Sequence, residues 1–414
     1  MIGPDDSLAV KGEQESLRRN IAAIRVLKRL EAEGREATAE EKRILAQYTG
    51  WGGLSQVFDD MRGQDAASEK GPSYWNESWA KKWGNAYKAV KELLSEDERQ
   101  AAILSTPNAH YTSRTVVEQM WQMAKRLGFR GGRVGEFGAG VGHFIGLTPH
   151  DLRDATSFTA VEMDSISSRI LKALYPEAQV FDKPLQSVSI RPGSLDMVIG
   201  NVPFEETNIA DAQRRYGVPL NLHNYFLARA IDAVRPGGVV VAVTTHGTLD
   251  NNAQQRSFLA SRANLVAAIR LPNNAFEENA KTKVVTDILV LQKRQAAEPE
   301  ANAWRGVATV KLTDEDGNPV EHRVNEYFVA HPEMVLGRQS MTGSMYRANE
   351  YTVEPTAGSL DEKLSDAIKR IPEGVVHDTK DLRPLSSEHE PEDAESESRQ
   401  EGHLGRNLSM EPCG

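Results

Sequence analysis

Seven short apolar segments between residues 133 and 292 constrain the fold of this 414-residue chain more than any other feature. Each has the length of a strand, and we expect strands at 133–137, 157–162, 178–181, 195–200, 239–245, 264–271 and 284–292. Helical patterns separate most of them, at 113–127, 165–174, 222–234 and 252–262. Strands that alternate with helices predict an α/β, Rossmann-like fold with a mainly parallel sheet of seven strands. Ligands of such a sheet bind at the carboxyl ends of its strands.

The sequence around this alternation predicts three further regions. Residues 1–105 read as an N-terminal helical region, in which Thr38 and Glu41 have the spacing of a capping box. The central α/β domain is expected at 106–296. Residues 297–380 predict a small α+β appendage, with a hairpin that turns at Asp316-Gly317. Residues 381–414 are rich in acidic residues and poor in apolar ones, which is typical of a disordered tail.

The net charge of −10 arises mostly from this tail, because residues 388–401 carry seven acidic side chains and one base, Arg399. The rest of the chain is still no basic platform, so tight unaided binding to a polyanion is not predicted. The single cysteine, Cys413, excludes an intramolecular disulfide and a cysteine-based zinc site. The apolar run at 239–243 is too short to cross a membrane and no signal peptide is evident, so we expect a cytoplasmic protein.

A glycine-rich turn follows the first predicted strand. Glu136 ends that strand, and Gly138, Gly140 and Gly142 allow the backbone to approach a ligand closely. The turn lacks the Gly-Lys-Ser/Thr of a phosphate loop, so ATP hydrolysis is disfavoured. Glu162 follows about 20 residues later, where an acid binds a ribose diol. A nucleoside-bearing cofactor is therefore favoured, although a tight turn without a ligand is the alternative.

Two aspartates after the second and third strands have competing interpretations. Asp164 is best placed to cap the helix that follows it. Asp182 could accept a hydrogen bond from an adenine amino group, or could form a turn beside Pro184. The sequence favours neither interpretation of Asp182.

The fourth strand ends in Asn201-Val202-Pro203-Phe204, which offers the parts of an amine clamp. Pro203 restricts the residue before it to extended geometry, so the Val202 carbonyl is fixed. The Asn201 side-chain oxygen and this carbonyl together can accept both hydrogens of an exocyclic amine. Phe204 offers a ring face to a base or a sulfonium.

These motifs resemble those of S-adenosylmethionine-dependent amino-methyltransferases, whose fourth motif is Asn/Asp-Pro-Pro-Tyr/Phe. The motif order is similar to that of the gamma-type adenine-N6 DNA methyltransferases. More narrowly, the segments at 48–59, 200–204, 235–250 and 269–294 resemble the methylase part of phage and plasmid methylase–helicase proteins, some of them anti-restriction factors. The resemblance covers roughly residues 40–340. Val202 stands where that motif has its first proline, and helicase motifs are absent.

The resemblance implies a role for each matching position. Cofactor contacts fall on Tyr111, Thr112, Glu136, Gly138, Gly140, Glu162, Asp182 and Phe226. Tyr111 and Thr112 would hold the methionine end of S-adenosylmethionine, and Phe226 equally suits core packing. Phe276, expected in an exposed loop, would stack with Phe204 on a flipped target base. The WGG turn at 51–53 would either cover the site or contact DNA, or would pack Trp51 into the core.

We therefore expect an enzyme that methylates N6 of adenine in double-stranded DNA, with Asn201, Val202, Pro203 and Phe204 as its catalytic residues. The resemblance implies a role in DNA modification or anti-restriction, with a helicase or other DNA-delivering partner acting in trans. One alternative is a non-catalytic binding module with the same fold. Another is a protein glutamine methyltransferase, because a similar turn grips an amide nitrogen.

Overall fold

The fold is described from a computed structural model. It describes residues 2–3, 8, 10, 12–71, 73, 76–106, 111–276, 284–298, 304–343 and 349–376. The described residues all belong to a first compact unit, Met1–Asp378. The acidic tail predicted at 381–414 lies outside the described residues. In the described part, no helix has the length and apolar character that a membrane span requires.

A seven-stranded sheet with the order β3-β2-β1-β4-β5-β7-β6 forms the centre of the first unit. Its strands are β1 (Gly132–Phe137), β2 (Thr156–Val161), β3 (Gln179–Phe181), β4 (Leu195–Asn201), β5 (Val234–Thr245), β6 (Ala263–Arg270) and β7 (Thr286–Lys293). Neighbouring strands among β1 to β5 are parallel, whereas β7 runs antiparallel to β5 and to β6. The predicted Rossmann-like sheet is confirmed. It brings the ends of β1, β2 and β4 together at one edge.

Helices precede the sheet, connect its strands and follow it. Their bounds are α1 (Glu13–Glu33), α2 (Ala39–Ala46), α3 (Asp60–Ala66), α4 (Glu77–Leu93), α5 (Glu96–Ser105), α6 (Arg114–Arg126), α7 (His143–Gly146), α8 (Ser165–Leu174), α9 (Ala210–Tyr216), α10 (Leu222–Ala233), α11 (Gly247–Asp250), α12 (Ala253–Arg262), α13 (Glu326–Ala330) and α14 (Leu360–Ile368). The predicted capping box begins α2, because Thr38 accepts from the Glu41 backbone and Glu41 accepts from the Thr38 backbone. Such caps satisfy backbone N–H groups that the first helical turn leaves without partners.

The N-terminal helices pack on the sheet domain rather than on one another alone. Helices α1, α2 and α5 all contact α8, the helix that follows β2. Helix α14, from the far end of the described chain, packs against α6. Trp121 of α6 is fully buried and donates its indole N–H to the Phe144 carbonyl at 3.0 Å. These contacts hold the N-terminal helices and α14 against helices of the sheet domain.

The segment after the sheet consists of two antiparallel strand pairs. One is the predicted hairpin, in which β8 (Val307–Thr313) pairs with β9 (Pro319–Asn325). Its turn contains Gly317 at φ 83°, a left-handed conformation that suits glycine. The other pair is β10 (Gly337–Gly343) with β11 (Glu350–Pro355).

Candidate functional site

A cavity of about 320 Å³ opens at the carboxyl ends of β1, β2 and β4. Eleven residues of the predicted site line it: Tyr111, Thr112, Glu136, Gly138, Gly140, Glu162, Asn201, Val202, Pro203, Phe204 and Phe226. They come from separate parts of the sequence and meet because parallel strands end at one edge of the sheet. Asp182 and Phe276 are not among the residues that line the cavity.

The glycine-rich turn bends around the end of β2. The backbone N–H groups of Gly138 and Ala139 donate to the Val161 carbonyl at 2.8 and 3.1 Å. Gly138 and Gly140 have φ values of 73° and 55°, in the left-handed region that strains other residues. A Cβ atom at Gly140 would lie 3.1 Å from the Tyr111 ring. The glycine turn thus leaves a narrow space between its backbone and the Tyr111 ring, and a side chain at position 140 would fill that space.

Glu162 is tied to the glycine turn by its carboxylate. One oxygen accepts from the Gly140 N–H at 2.7 Å, and the other accepts from the Asp164 N–H at 2.7 Å. Burial, and then the neighbouring Asp164 charge, raise the pKa of Glu162 to about 7. The carboxylate therefore has two fixed backbone donors but no cationic side chain paired with it in the described part of the chain.

Glu136 is a second buried acid in the same cavity. Its carboxylate accepts from the Ile145 N–H at 3.3 Å. Burial raises the pKa of Glu136 to about 8, and the charge of Glu162 acts in the same direction. Two acids at the ends of adjacent strands thus share one small cavity, and both are costly to ionise.

Asp164 caps α8, as the sequence predicts. Its Oδ2 atom accepts from the Ser167 backbone N–H at 2.9 Å and from the Ser167 hydroxyl at 2.5 Å. Its other oxygen is buried and has no hydrogen-bond partner among the described residues. Asp164 is also among the residues that line the cavity, so a third buried acid lies beside it.

The Asn201-Val202-Pro203-Phe204 turn forms the part of the cavity wall at the carboxyl end of β4. Asn201 is the last residue of β4, and the Val202 N–H donates to the Val243 carbonyl on β5 at 3.1 Å. Phe204 is half-buried and contacts Phe276 edge to face, with ring centroids 6.5 Å apart at 86°. The expected exposure of Phe276 is wrong, because the ring is 2% exposed and packs beneath Phe204. The perpendicular rings do not form a parallel pair around a base in this arrangement.

Phe226 and Asp182 occupy different environments. Phe226 lines the cavity and is also part of the hydrophobic core, so both interpretations of it are compatible with its position. Asp182 lies beside the cavity with half of its side chain exposed, and it pairs with Lys172 at 2.9 Å. The next residues, Lys183, Pro184 and Leu185, line the cavity instead.

Sequence reasoning missed several lining residues. Gly50, Leu104 and Ser105 reach the cavity from the N-terminal helical region, and Met163 follows Glu162. Leu104 and Met163 are 67% and 49% exposed, which is unusual for large apolar side chains beside a cavity. For Gly50, the sequence did contain an indication of a role at the cavity, because this residue lies in the Gly-rich segment at 48–53. Trp51 of that segment is fully buried, so it packs into the core.

The comparison with curated proteins gives one informative relative. Over 254 residues, 57% of this chain, the sequence is 29% identical to the Defense against restriction protein B of Escherichia phage P1. The chain is thus similar to part of a phage protein that is named for defence against restriction. The resemblance that the motifs predict is thereby confirmed, although the match spans only 11% of that protein's length. No family model matches the chain.

Solved structures with a similar fold include three bacterial proteins. A putative class I S-adenosylmethionine-dependent methyltransferase from Listeria monocytogenes covers 70% of this chain and 92% of its own, at 12% identity and a TM-score of 0.40. The type I restriction-modification methyltransferase subunit from Streptococcus thermophilus covers 67% and 66%, at 14% identity and a TM-score of 0.38. A modification subunit of a putative type I restriction enzyme from Vibrio vulnificus covers 71% and 79%, at 14% identity and a TM-score of 0.39.

Proposed function

We propose that this chain is an S-adenosylmethionine-dependent DNA methyltransferase that modifies N6 of a flipped adenine. One observation carries the proposal: a cavity with three buried carboxylates adjoins the amine clamp at Asn201 and Val202. S-adenosylmethionine is a net cation, because its sulfonium and ammonium outweigh its single carboxylate. Its binding would supply a positive charge beside Glu136 and Glu162, whose pKa values are raised by burial and are lowered by no basic side chain of the described residues.

The cavity residues also fit the shape of that cofactor. The left-handed Gly140 leaves room beside Tyr111, and the left-handed Gly138 leaves room beside Phe226, that a Cβ atom would occupy. Glu162, at the end of the second strand, would accept from the ribose hydroxyls. Met163 and Leu185 offer apolar contacts for the adenine ring, and Tyr111 and Thr112 would hold the methionine end. When bound, the cofactor supplies an electrophilic methyl group, whose transfer to an amine releases S-adenosylhomocysteine and a proton.

The chain's own residues would orient the attacking amine. The Asn201 side-chain oxygen and the Val202 carbonyl would accept the two N6 hydrogens, which aims the nitrogen lone pair at the methyl group. Phe204 would stack on the base, and this contact would offset part of the few kcal/mol that unstacking costs. Phe276 would have to turn from its edge-on position to stack on the second face.

The biological setting of the proposal follows from the phage relative. We place the activity in DNA modification or anti-restriction in the cytoplasm of a bacterial host. The chain has an acidic net charge, so we propose that a helicase or other partner delivers double-stranded DNA to the site.

The test combines cofactor binding with methyl transfer. Purified protein is incubated with unmethylated DNA and labelled S-adenosylmethionine, and N6-methyladenine is quantified. We expect methylation by the wild-type chain and loss of about 100-fold or more for Asn201→Ala, as is typical when a positioned catalytic hydrogen-bonding group is removed. Cofactor binding without methylation of DNA, both by the purified chain alone and after addition of a host-cell extract that supplies partner proteins, would reject the proposal. Labelled glutamine in a protein substrate would favour a protein methyltransferase.

A binding module without catalysis is separated by a second measurement. Asn201→Ala is compared with wild type for protection of DNA against restriction in cells. Loss of protection together with methylation supports the enzyme. Full protection by the inactive variant would favour the non-catalytic module.

A further inference from the structure

One wall of the cavity comes from residues that lie far from the sheet in sequence. Residues 46–50, here called the N-terminal wall, begin at the last residue of α2 and precede the buried Trp51. The Ala46 carbonyl lies 3.4 Å from Nε2 of His143, which directly follows the glycine turn and begins α7. Gly50 lines the cavity itself. The N-terminal wall therefore contacts the turn that is expected to hold the cofactor.

In the middle of the N-terminal wall, Tyr48 lines a second, smaller cavity together with Tyr111 and His143, two residues that also line the main cavity. Tyr48 is fully buried, and burial followed by the nearby charge of Asp164 raises the pKa of its phenol. The Tyr48 ring packs edge to face on Trp51, with centroids 6.3 Å apart. Trp51 in turn packs on Phe58 at 5.0 Å. A displacement of the N-terminal wall would expose these rings and open the cavity.

A single buried amide holds the N-terminal wall in place. Asn20 of α1 is fully buried, and its Nδ2 atom donates to the Gly50 carbonyl at 2.5 Å. Its Oδ1 atom accepts from the Thr49 backbone N–H at 2.9 Å and from the Thr49 hydroxyl at 3.0 Å. Helix α1 is itself anchored on α8, whose first turn lines the cavity. Asn20 thus links the N-terminal wall to the frame of the site without lining the cavity.

We infer that the N-terminal helical region is an integral part of the cofactor site, and that Asn20 is the positioning residue that fixes its wall. The inference rests on the proposed function, because it concerns how the same cavity binds S-adenosylmethionine. Loss of the Asn20 amide leaves the Thr49 N–H and the Gly50 carbonyl buried without their partner. The N-terminal wall then loses its fixed position, and part of the binding free energy is used to restore it.

The experiment compares two buried asparagines in the full chain. The matched control is Asn325, which is also fully buried and makes three hydrogen bonds, to the Leu249 and Trp304 carbonyls and from the Tyr327 N–H. It caps α13, and neither it nor its partners line the cavity. The dissociation constant for S-adenosylmethionine is measured by calorimetry for wild type, Asn20→Ala and Asn325→Ala.

We expect Asn20→Ala to bind S-adenosylmethionine at least about tenfold more weakly than wild type, a loss typical of one disrupted buried hydrogen-bond set. Asn325→Ala should stay within about twofold of wild type, although both variants lose a similar set of buried bonds. The milder variant Thr49→Val removes only the hydroxyl contact to Asn20, and we expect an effect of about threefold. It provides a measurement if Asn20→Ala does not fold.

Hydrogen exchange supplies a readout that general destabilisation would not reproduce. S-adenosylmethionine should slow exchange at residues 46–54 in wild type, and Asn20→Ala should speed it there selectively. Absence of binding to wild type would reject the proposed function, and this inference with it. If wild type binds S-adenosylmethionine and the three variants Asn20→Ala, Thr49→Val and Asn325→Ala all bind it with the same affinity as one another, the role of Asn20 is overturned. The proposed function would then still stand.

Discussion

Two regions of the molecule bury carboxylates, and they differ in whether a basic side chain of the same region is paired with the negative charge. In the cavity, Glu136, Glu162 and Asp164 accept hydrogen bonds from backbone N–H groups and the Ser167 hydroxyl. At the end of β6, the other region buries acids directly against a cation. The difference separates a site that awaits a cationic ligand from a site that the chain completes by itself.

Arg270 is the cation of the second region, and it is fully buried. Its guanidinium binds Asp287 through two hydrogen bonds of 2.8 and 2.9 Å and lies 2.8 Å from Asp250. It also donates to the Tyr351 hydroxyl at 3.0 Å and lies over the Phe328 ring, 4.1 Å from its centroid. Burial raises the pKa of Asp287, and Arg270 acts in the opposite direction. This cluster ties β6 and β7 to the segment that follows the sheet.

Removal of the buried cation should give the largest effect on stability. Arg270→Met leaves Asp250 and Asp287 buried without a countercharge, which we expect to cost about 3–5 kcal/mol of unfolding free energy. Urea denaturation followed by circular dichroism measures the loss. The control is Arg338→Met, since Arg338 forms an exposed pair with Glu354 and should change stability by less than about 1 kcal/mol. Similar values for the two variants would contradict the contrast.

Removal of a cavity charge should instead affect the ligand and spare the fold. Glu162→Gln keeps an acceptor for the Gly140 N–H but removes the charge that would attract a cation. We expect affinity for S-adenosylmethionine to fall roughly 10- to 100-fold, as for loss of a charged hydrogen bond. Unfolding free energy in the absence of ligand should change by less than about 2 kcal/mol, because removal of a buried acid offsets the loss of the bond from the Asp164 N–H, which the amide nitrogen cannot accept. A large loss of stability with unchanged affinity would remove the distinction between the two regions.

The pH dependence of stability follows from the same buried acids. The pKa of Glu162 is raised to about 7 and that of Glu136 to about 8, both from 4.5. The folded state therefore binds more protons than the unfolded state between these values. The contribution of these acids to stability is fully present below pH 4.5 and is lost as pH rises through 7 and 8.

Affinity for a cationic ligand should change in the opposite direction, because the ionised carboxylates bind it better. We expect ligand-free stability to fall, and affinity for S-adenosylmethionine to rise, between pH 6.5 and 8.5. Burial lowers the pKa of His143 to about 4, so its titration lies outside this window. Denaturation and calorimetry at several pH values test both trends, and Glu162→Gln should flatten them. If stability and affinity instead changed in the same direction with pH, Glu136 and Glu162 could not be buried acids that lack a countercharge.

The features that sequence predicts well are those set by local rules. The capping box at Thr38, the glycine turn and the end of β4 at Asn201 depend on neighbours within a few residues. The sheet follows from apolar runs that alternate with helices. Asn20 contacts Thr49 across 29 positions, and Arg270 contacts Tyr351 across 81. Such contacts leave no periodic pattern, so neither could be predicted.

Phe276 is a second case in which a contact between residues distant in sequence could not be predicted. A phenylalanine between polar residues in a loop suggests exposure, yet tertiary packing against Phe204 buries it. The local sequence describes the neighbours along the chain, whereas burial depends on the neighbours in space. The sequence therefore predicted Phe204 and Phe276 as two residues of the site, but it did not predict the direct contact between their rings.

The smallest effect is expected at Asp182, where motif matching and geometry make different predictions. If this acid binds the adenine amino group, Asp182→Asn should weaken S-adenosylmethionine binding about as much as Glu162→Gln does. Its side chain is half exposed and pairs with Lys172 at 2.9 Å, and this neighbour lowers its pKa. An exposed pair of this kind contributes little, so we expect affinity and stability to change by less than about threefold and 0.5 kcal/mol. Calorimetry on both variants decides between these predictions. A loss equal to that of Glu162→Gln would show that exposed acids also bind the cofactor, and the contrast between buried and paired carboxylates would then no longer define the site.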